Sequence, residues 1–320
     1  MERNEASHHM ENAGVYGDFA FVYDTFMDDT PYEQWAGRLD RLIKKYGVSK
    51  PEHDTQDVLA SDRKLDSDRK PDSDRKLDSD RKLDLDRRLA AERNLVVDLG
   101  CGTGTLTELM YRKGYDMTGV DVSEAMLNIA MQKKEKSGSE ILYLLQDMRE
   151  LELYSTVGTV YSVCDSLNYI LEEEELLSVF TLINNYLYPQ GIFIFDFNTA
   201  YKYRELIGDT TIAENREDCS FIWENFYDPE GEINEYDLTV FVREEGELFR
   251  RFSETHLQRG YSVEQIVRLV ELSGMEVVEI ADADTEEAAT EESGRVYVVA
   301  REKGKKSGLS DPRKAADLKG

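Results

Sequence analysis

Asn94-Leu-Val-Val-Asp-Leu-Gly-Cys-Gly-Thr-Gly104 decides the fold. It opens as a short apolar run with two β-branched valines, the composition of a strand buried on both faces. It then breaks into glycines at alternate positions, Gly100, Gly102 and Gly104. Beyond them, Thr105-Leu-Thr-Glu-Leu-Met110 sets Leu106, Leu109 and Met110 at helical spacing. The prediction is strand, glycine turn, helix. Such a unit lets a ligand approach the backbone where a helix N-terminus presents free N–H groups.

Working outward, apolar runs alternate with helical patterns. Met117–Val122 reads as a second strand ending at Asp121, and Ser123 caps a helix carrying Ala125, Met126, Ile129 and Ala130. Ile141–Gln146 is a third strand, followed by Asp147-Met148, and Thr159–Cys164 is a fourth, running into Asp165–Tyr169. A helix from about Glu172 to Tyr188 leads to a fifth strand, Ile192–Phe197. Strands separated by helices predict a parallel, doubly wound sheet.

After residue 200 the pattern becomes long and alternating, in Ser220–Tyr227, Ile233–Val242 and Leu248–His256, with turns at Asp228–Gly231 and Glu244–Glu247. This predicts a three-stranded antiparallel insertion. The βα pattern resumes with a capped helix, Ser262–Leu272, and two last strands, Met275–Ile280 and Arg295–Ala300. The expected fold class is therefore α/β: a doubly wound, mostly parallel, seven-stranded Rossmann-like sheet with an N-terminal helical lid and the insertion. The expected divisions are a lid over 1–49, a hexapeptide-repeat insertion over 50–92, a core over 93–205, the antiparallel segment over 206–260, the end of the core over 261–301 and a basic, frayed tail over 302–320.

The lid segment carries Tyr16, Phe19, Ala20, Tyr23 and Phe26 at three- and four-residue spacing, then a second helix from Tyr32 after Thr30-Pro31. Between lid and core the chain repeats SDRKLD from Ser61. A six-residue step turns a helix position by roughly 240°, so one leucine per repeat cannot line a helix face. The repeat is expected to be disordered.

Composition narrows the function. Hydrophobic content of 40% supplies a core despite 33% charged residues. A net charge of −27 opposes binding to nucleic acid or an anionic bilayer, because phosphate contacts need a basic footprint. No apolar run spans a bilayer, the N-terminal residues lack the apolar stretch of a secretory signal, and Cys101, Cys164 and Cys219 form no disulfide framework or metal spacing. A cytoplasmic monomer or homodimer is expected, with no nucleic-acid or membrane partner.

The glycine spacing distinguishes among nucleotide-like ligands. The dinucleotide pattern G-x-G-x-x-G needs a sixth-position glycine where this chain has Thr105. Asp98, two residues before the first glycine, would repel a pyrophosphate and suits a ligand with an amino group or positive charge. Val97-Asp-Leu-Gly-Cys-Gly-Thr-Gly104 closely resembles motif I of the class I S-adenosylmethionine-dependent methyltransferases. Tyr16-x-x-Phe19-Ala20-x-x-Tyr23-Asp24 resembles the N-terminal lid of many small-molecule members.

The resemblance implies S-adenosylmethionine as cofactor and assigns residues to it. Asp121 would accept hydrogen bonds from the ribose hydroxyls, Asp147 would take the adenine amino group, and Met148 would lie on the ring face. Gly100 and Gly102, with Asp98 near, would hold the methionine end, and Asp165 would sit where that amino group meets the substrate. Cys101, Gly104, Val122, Met126, Tyr16 and Tyr23 complete the expected cofactor set. Methyl transfer from a sulfonium needs alignment and exclusion of water, with a base only where the acceptor must lose a proton. Candidates to orient or deprotonate the acceptor are Tyr16, Tyr169 and His256 first, then Tyr23, Asn168 and Arg259. Asp165, Asp196 and Asn198 loosely resemble the metal site of catechol-type members, but Phe197 interrupts the adjacent Asp-Asn pair, so no metal is predicted.

The expected activity is methyl transfer to a small-molecule acceptor. A protein or tRNA acceptor and a non-catalytic binding module stay open, and a nicotinamide-dependent oxidoreductase is disfavoured by the glycine spacing.

Overall fold

A computed structural model describes residues 19–52, 87–244 and 246–305. The SDRKLD repeats, Tyr16 and the chain after residue 305 lie outside the described residues, whereas the end of the expected disordered insertion is ordered, with 87–94 helical and leading directly into the first strand.

Eleven strands form two sheets among the described residues. The larger contains β1 (Leu95–Leu99), β2 (Asp116–Asp121), β3 (Leu142–Leu145), β4 (Val157–Ser162), β5 (Leu187–Asn198), β10 (Met275–Asp282) and β11 (Arg295–Glu302). Its order is β10-β11-β5-β4-β1-β2-β3, with β11 antiparallel to both neighbours and the pairs from β5 to β3 parallel. The period-two alternation of side chains splits its central strands between two cores. Val97, Val160, Phe193, Phe195 and Phe197 meet α5 (Glu173–Tyr186) and α6 (Val263–Leu272) on one face. Val96, Tyr161, Ile192 and Ile194 meet α2 (Tyr32–Tyr46) and α3 (Thr105–Arg112) on the other. Burial on both faces is why these strands read as apolar runs. The capping expectations hold: Ser123 accepts from Met126 N–H at the start of α4 (Glu124–Ser137), and Ser262 forms a capping box with Gln265.

The second sheet has four strands where three were expected, in the order β6-β7-β8-β9: β6 (Thr211–Asn215), β7 (Cys219–Asp228), β8 (Ile233–Arg243) and β9 (Phe249–Arg259). The extra strand, Thr211-Ile-Ala-Glu-Asn215, is short, mostly exposed and at the edge, so it carries no clean alternation. Helix α1 (Ala20–Phe26) packs on this sheet: Val22 with Phe19 and Phe26 joins Tyr236, Leu238, Phe221 and Trp223 in a third apolar cluster. Strand boundaries also move. β5 begins at Leu187, directly after α5, and β11 continues past Ala300 to Glu302, whose wholly buried carboxylate accepts from Gln190 N–H at 2.9 Å.

Close approach of chain segments requires a glycine at 158. A Cβ there would lie 1.7 Å from Arg93 O and 2.4 Å from Ser49 Oγ, where Ser49 bridges Arg93 O and Thr159 Oγ1. Gly158→Ala is expected to destabilise the fold by ~3 kcal/mol or more in urea unfolding; a change within about 0.5 kcal/mol would refute this packing account.

Candidate functional site

Strand order reverses between β1 and β4, and a ligand crevice in an open α/β sheet forms beyond the strand ends at such a switch point. A cavity of about 1170 Å³ lies there. Gly100–Thr103, Asp121, Asp147-Met148 and Asp165 line one part, and Tyr23, Phe26, Trp35, Trp223, Tyr236 and His256 line another.

The turn after β1 is held by Gly100 and Cys101 N–H, which both donate to Val120 O. Gly100 adopts φ +80°, and a Cβ on it would lie 2.6 Å from Ser166 Oγ, so no side chain can stand between the turn and the β4 loop. At Gly102 a Cβ would meet nothing within 4 Å, leaving open backbone on the cavity wall. Gly104 does not line the cavity; a Cβ there would collide with Tyr143 Oη at 2.5 Å and Ala130 at 2.9 Å, so its place is in helix packing.

The carboxylates differ in their surroundings. Asp98 is 2% exposed and accepts from Thr107 Oγ1 at 2.6 Å and Tyr161 Oη at 2.9 Å, both on Oδ2. Burial pushes its pKa up to about 7 against these two hydrogen bonds. Asp121 accepts Gly102 N–H at 2.7 Å on one oxygen and Ser123 N–H at 2.8 Å on the other, and burial raises it too. Asp147 caps the turn after β3 and pairs with Arg149 (Nη2–Oδ2 2.6 Å), whose hydrogen bond holds its pKa down. Val122 is exposed and Met126 buried, and both line the cavity with Met148.

At the end of β4 two successive residues turn left-handed, Cys164 at φ 67° and Asp165 at φ 54°. Their N–H groups donate to Asp196 at 3.1 and 2.9 Å, and Arg295 Nε donates to the same carboxylate at 3.0 Å. Asp196 thus belongs to the scaffold. It is wholly buried and does not line the cavity, so this strand-end carboxylate holds backbone rather than ligand. Asn168 and Arg259 are scaffold too. Asn168 Nδ2 donates to Asn198 O and Arg259 O at 2.9 and 2.7 Å, and Arg259 Nη1 to Leu171 O at 2.9 Å. No cluster that would hold a metal ion occurs among the described residues.

Over the cavity, Tyr169 Oη lies 2.7 Å from Tyr236 Oη and 3.3 Å from His256 Nδ1, and His256 Nε2 is 3.4 Å from Glu254 Oε2. The Tyr236 and His256 rings stack at 4.8 Å. Tyr23 Oη stands 4.0 Å from Cys164 Sγ, where burial raises both groups. Sequence reasoning missed Asp24 and Lys133. Their 2.6 Å ion pair, joined by Thr103 and Thr105 hydroxyls, fastens α1 and α4 to the glycine turn. The signal was the Tyr-Asp end of the lid phrase.

The shift at Asp98 has a thermodynamic sign. Folded Asp98 keeps a proton that the unfolded chain releases near the ordinary value of 3.8, so its contribution is complete below that pH and is lost as pH rises to about 7. Relative to wild type, Asp98→Asn should gain stability between about pH 4 and 7 and then level off, by up to ~4 kcal/mol. A wild-type-minus-variant difference that stays constant across that range in urea unfolding would contradict the assignment.

The open backbone at Gly102, the paired backbone N–H bonds on Asp121 and the buried Asp98 fit a ligand bearing hydroxyl and amino donors. Residues 96–191 match the family described as a methyltransferase domain. A chain from Geobacillus sp. (strain WCH70) assigned to the methyltransferases is 32% identical over 287 residues, covering 90% of this chain and 99% of its own. An S-adenosylmethionine-dependent methyltransferase from Clostridium acetobutylicum superposes with a TM-score of 0.69 at 23% identity, over 90% of this chain and 99% of that one. A sugar N-methyltransferase from Streptoalloteichus sp. does so with a TM-score of 0.54 at 18% identity, over 68% and 85%. The chain belongs to the class I S-adenosylmethionine-dependent methyltransferases, enzymes whose cofactor and methyl donor is S-adenosylmethionine.

Proposed function

We propose that the chain transfers the methyl group of S-adenosylmethionine to a small-molecule acceptor by in-line displacement. The observation that carries this reading is the cavity of about 1170 Å³, bounded by the carboxylate-bearing strand ends and by an aromatic roof. Pockets for one drug-sized ligand run to about 1000 Å³, so this volume suits two small ligands side by side. The sugar N-methyltransferase of similar fold acts on a sugar, which supports a small-molecule acceptor class. The net charge of −27 speaks against tRNA.

On the donor side, Asp121 retains acceptor capacity on both oxygens for the ribose hydroxyls. Asp147 and Met148 face the adenine, Asp98 and Asp165 the amino end, and Gly100 and Gly102 supply close backbone. Bound S-adenosylmethionine supplies a methyl group on a cationic sulfur, so displacement needs no protein nucleophile. The protein's work is alignment and exclusion of water, and the rings of α1, α2 and the antiparallel sheet supply both. In this reading Tyr169 takes a proton from an acceptor hydroxyl or amine while passing its own to His256 Nδ1, with Glu254 behind the imidazole; the 3.3 Å Tyr169–His256 contact supports it.

Two measurements test this reading. Asp121→Ala should weaken S-adenosylmethionine binding in calorimetry by about 1–3 kcal/mol, roughly 5- to 150-fold; unchanged affinity would remove the ribose assignment. Incubation with labelled S-adenosylmethionine and a cell extract should place the label in the small-molecule fraction. Label recovered in protein or tRNA instead would reject the acceptor class.

A further inference from the structure

One buried polar chain behind the cavity has no role in the chemistry above. Gln258 is 3% exposed and stands two residues after His256, on the same face of β9, yet it does not line the cavity. Its Nε2 donates to Asp165 Oδ2 at 2.8 Å and its Oε1 accepts from Tyr203 Oη at 2.8 Å. Tyr203 Oη accepts from Asn198 Nδ2 at 3.0 Å, and Lys202 Nζ donates to Asn198 Oδ1 at 2.9 Å.

The direction of this chain is set by its ends. An ammonium can only donate and an ionised carboxylate can only accept, so every hydrogen bond between Lys202 and Asp165 runs the same way. Bonds aligned like this polarise one another. Gln258 is the link that belongs to the antiparallel sheet; Asn198, Lys202 and Tyr203 sit at or after the end of β5, and Asp165 follows β4.

We infer that Gln258 is a positioning residue for methyl transfer: its amide holds the Asp165 carboxylate ionised and turned to the donor, and ties that carboxylate to the sheet bearing Tyr236 and His256. The inference rests on the reading of Asp165 as a partner of the donor's amino group. Burial, and then the neighbouring Asp196 carboxylate, raise the Asp165 pKa; Lys202, Arg295 and the Gln258 hydrogen bond oppose that rise. The amide bonds Oδ2 of a residue that itself lines the cavity, while Gln258 does not.

The test is calorimetric binding of S-adenosylhomocysteine to the full chain, with melting temperature recorded alongside. Gln258→Met keeps the volume and removes both hydrogen bonds; affinity should fall about tenfold at both about pH 6 and about pH 8.5. Gln258→Glu keeps the acceptor for Tyr203 and replaces the amide donor with a carboxyl group. At about pH 6 the introduced carboxyl and Asp165 share one proton, the bond to Asp165 is restored, and affinity should approach wild type. At about pH 8.5 the proton is lost, and affinity should drop about tenfold below wild type at the same pH. The charged and titratable groups facing Asp165 are Lys202, Arg295, Asp196, Cys164, Tyr23, Tyr203 and Tyr236. All are common to both proteins, so comparison at each pH isolates the new carboxyl.

Asp165→Asn is the control. If it weakens binding while both Gln258 variants bind like wild type at both pH values, with only the melting temperature lowered, Gln258 is structural and the proposal is overturned. If Asp165→Asn leaves affinity unchanged, the donor assignment of Asp165 fails and takes this proposal with it.

Discussion

A carboxylate without solvent access organises the cavity. Asp196 accepts two consecutive backbone N–H groups, from Cys164 and Asp165, and the guanidinium of Arg295. Left-handed backbone at non-glycine residues costs roughly 1–2 kcal/mol apiece, so two in a row persist only where the surroundings over-determine them. Here the ion pair does so, and the result is that β4 ends with Asp165 turned into the cavity. Arg295 also lies over the Trp35 ring at 4.7 Å, so the same pair connects β11 and β5 to α2. Removing one partner would leave a buried unpaired charge, which typically costs about 3–5 kcal/mol.

From that anchor the second sheet is fastened over the site. Asn168 holds the end of β5 and the end of β9 with one side chain, and the Tyr261 hydroxyl donates to Ile170 O just beyond. α1 closes the other side through the Asp24–Lys133 pair on the glycine turn. Between these fastenings the lining is acidic on the strand-end side, with Asp98, Asp121, Asp147 and Asp165, and its one arginine, Arg149, is already paired with Asp147. That field favours a cationic donor, and in the proposed transfer the aromatic roof would exclude water from the place where charge is lost.

Much of this was legible in the sequence, for a physical reason. Parallel strands buried on both faces must be apolar runs, so β1, β2, β4 and β5 announced themselves, and the early third glycine with Asp98 singled out the cofactor class. β6 escaped because a short, exposed edge strand obeys no burial pattern. Asp196 was visible at a strand end, but a residue letter does not say whether a carboxylate meets ligand or backbone. Asn168 and Arg259 failed as ligand-facing candidates for the same reason. Gln258 and Lys133 carry no motif, because their partners are distant in sequence and only the fold brings them together.

The central claim is that donor and acceptor share one cavity, with the donor held along the ends of β1, β2 and β3. A crystal structure of the complex with S-adenosylhomocysteine tests it most directly. The predicted result has the ribose hydroxyls on Asp121, the adenine beside Asp147 and Met148, the amino end between Asp98 and Asp165, and open space left beneath Tyr169 and His256. A ligand with its ribose away from Asp121, or one that fills the space under the aromatic roof, would contradict the account.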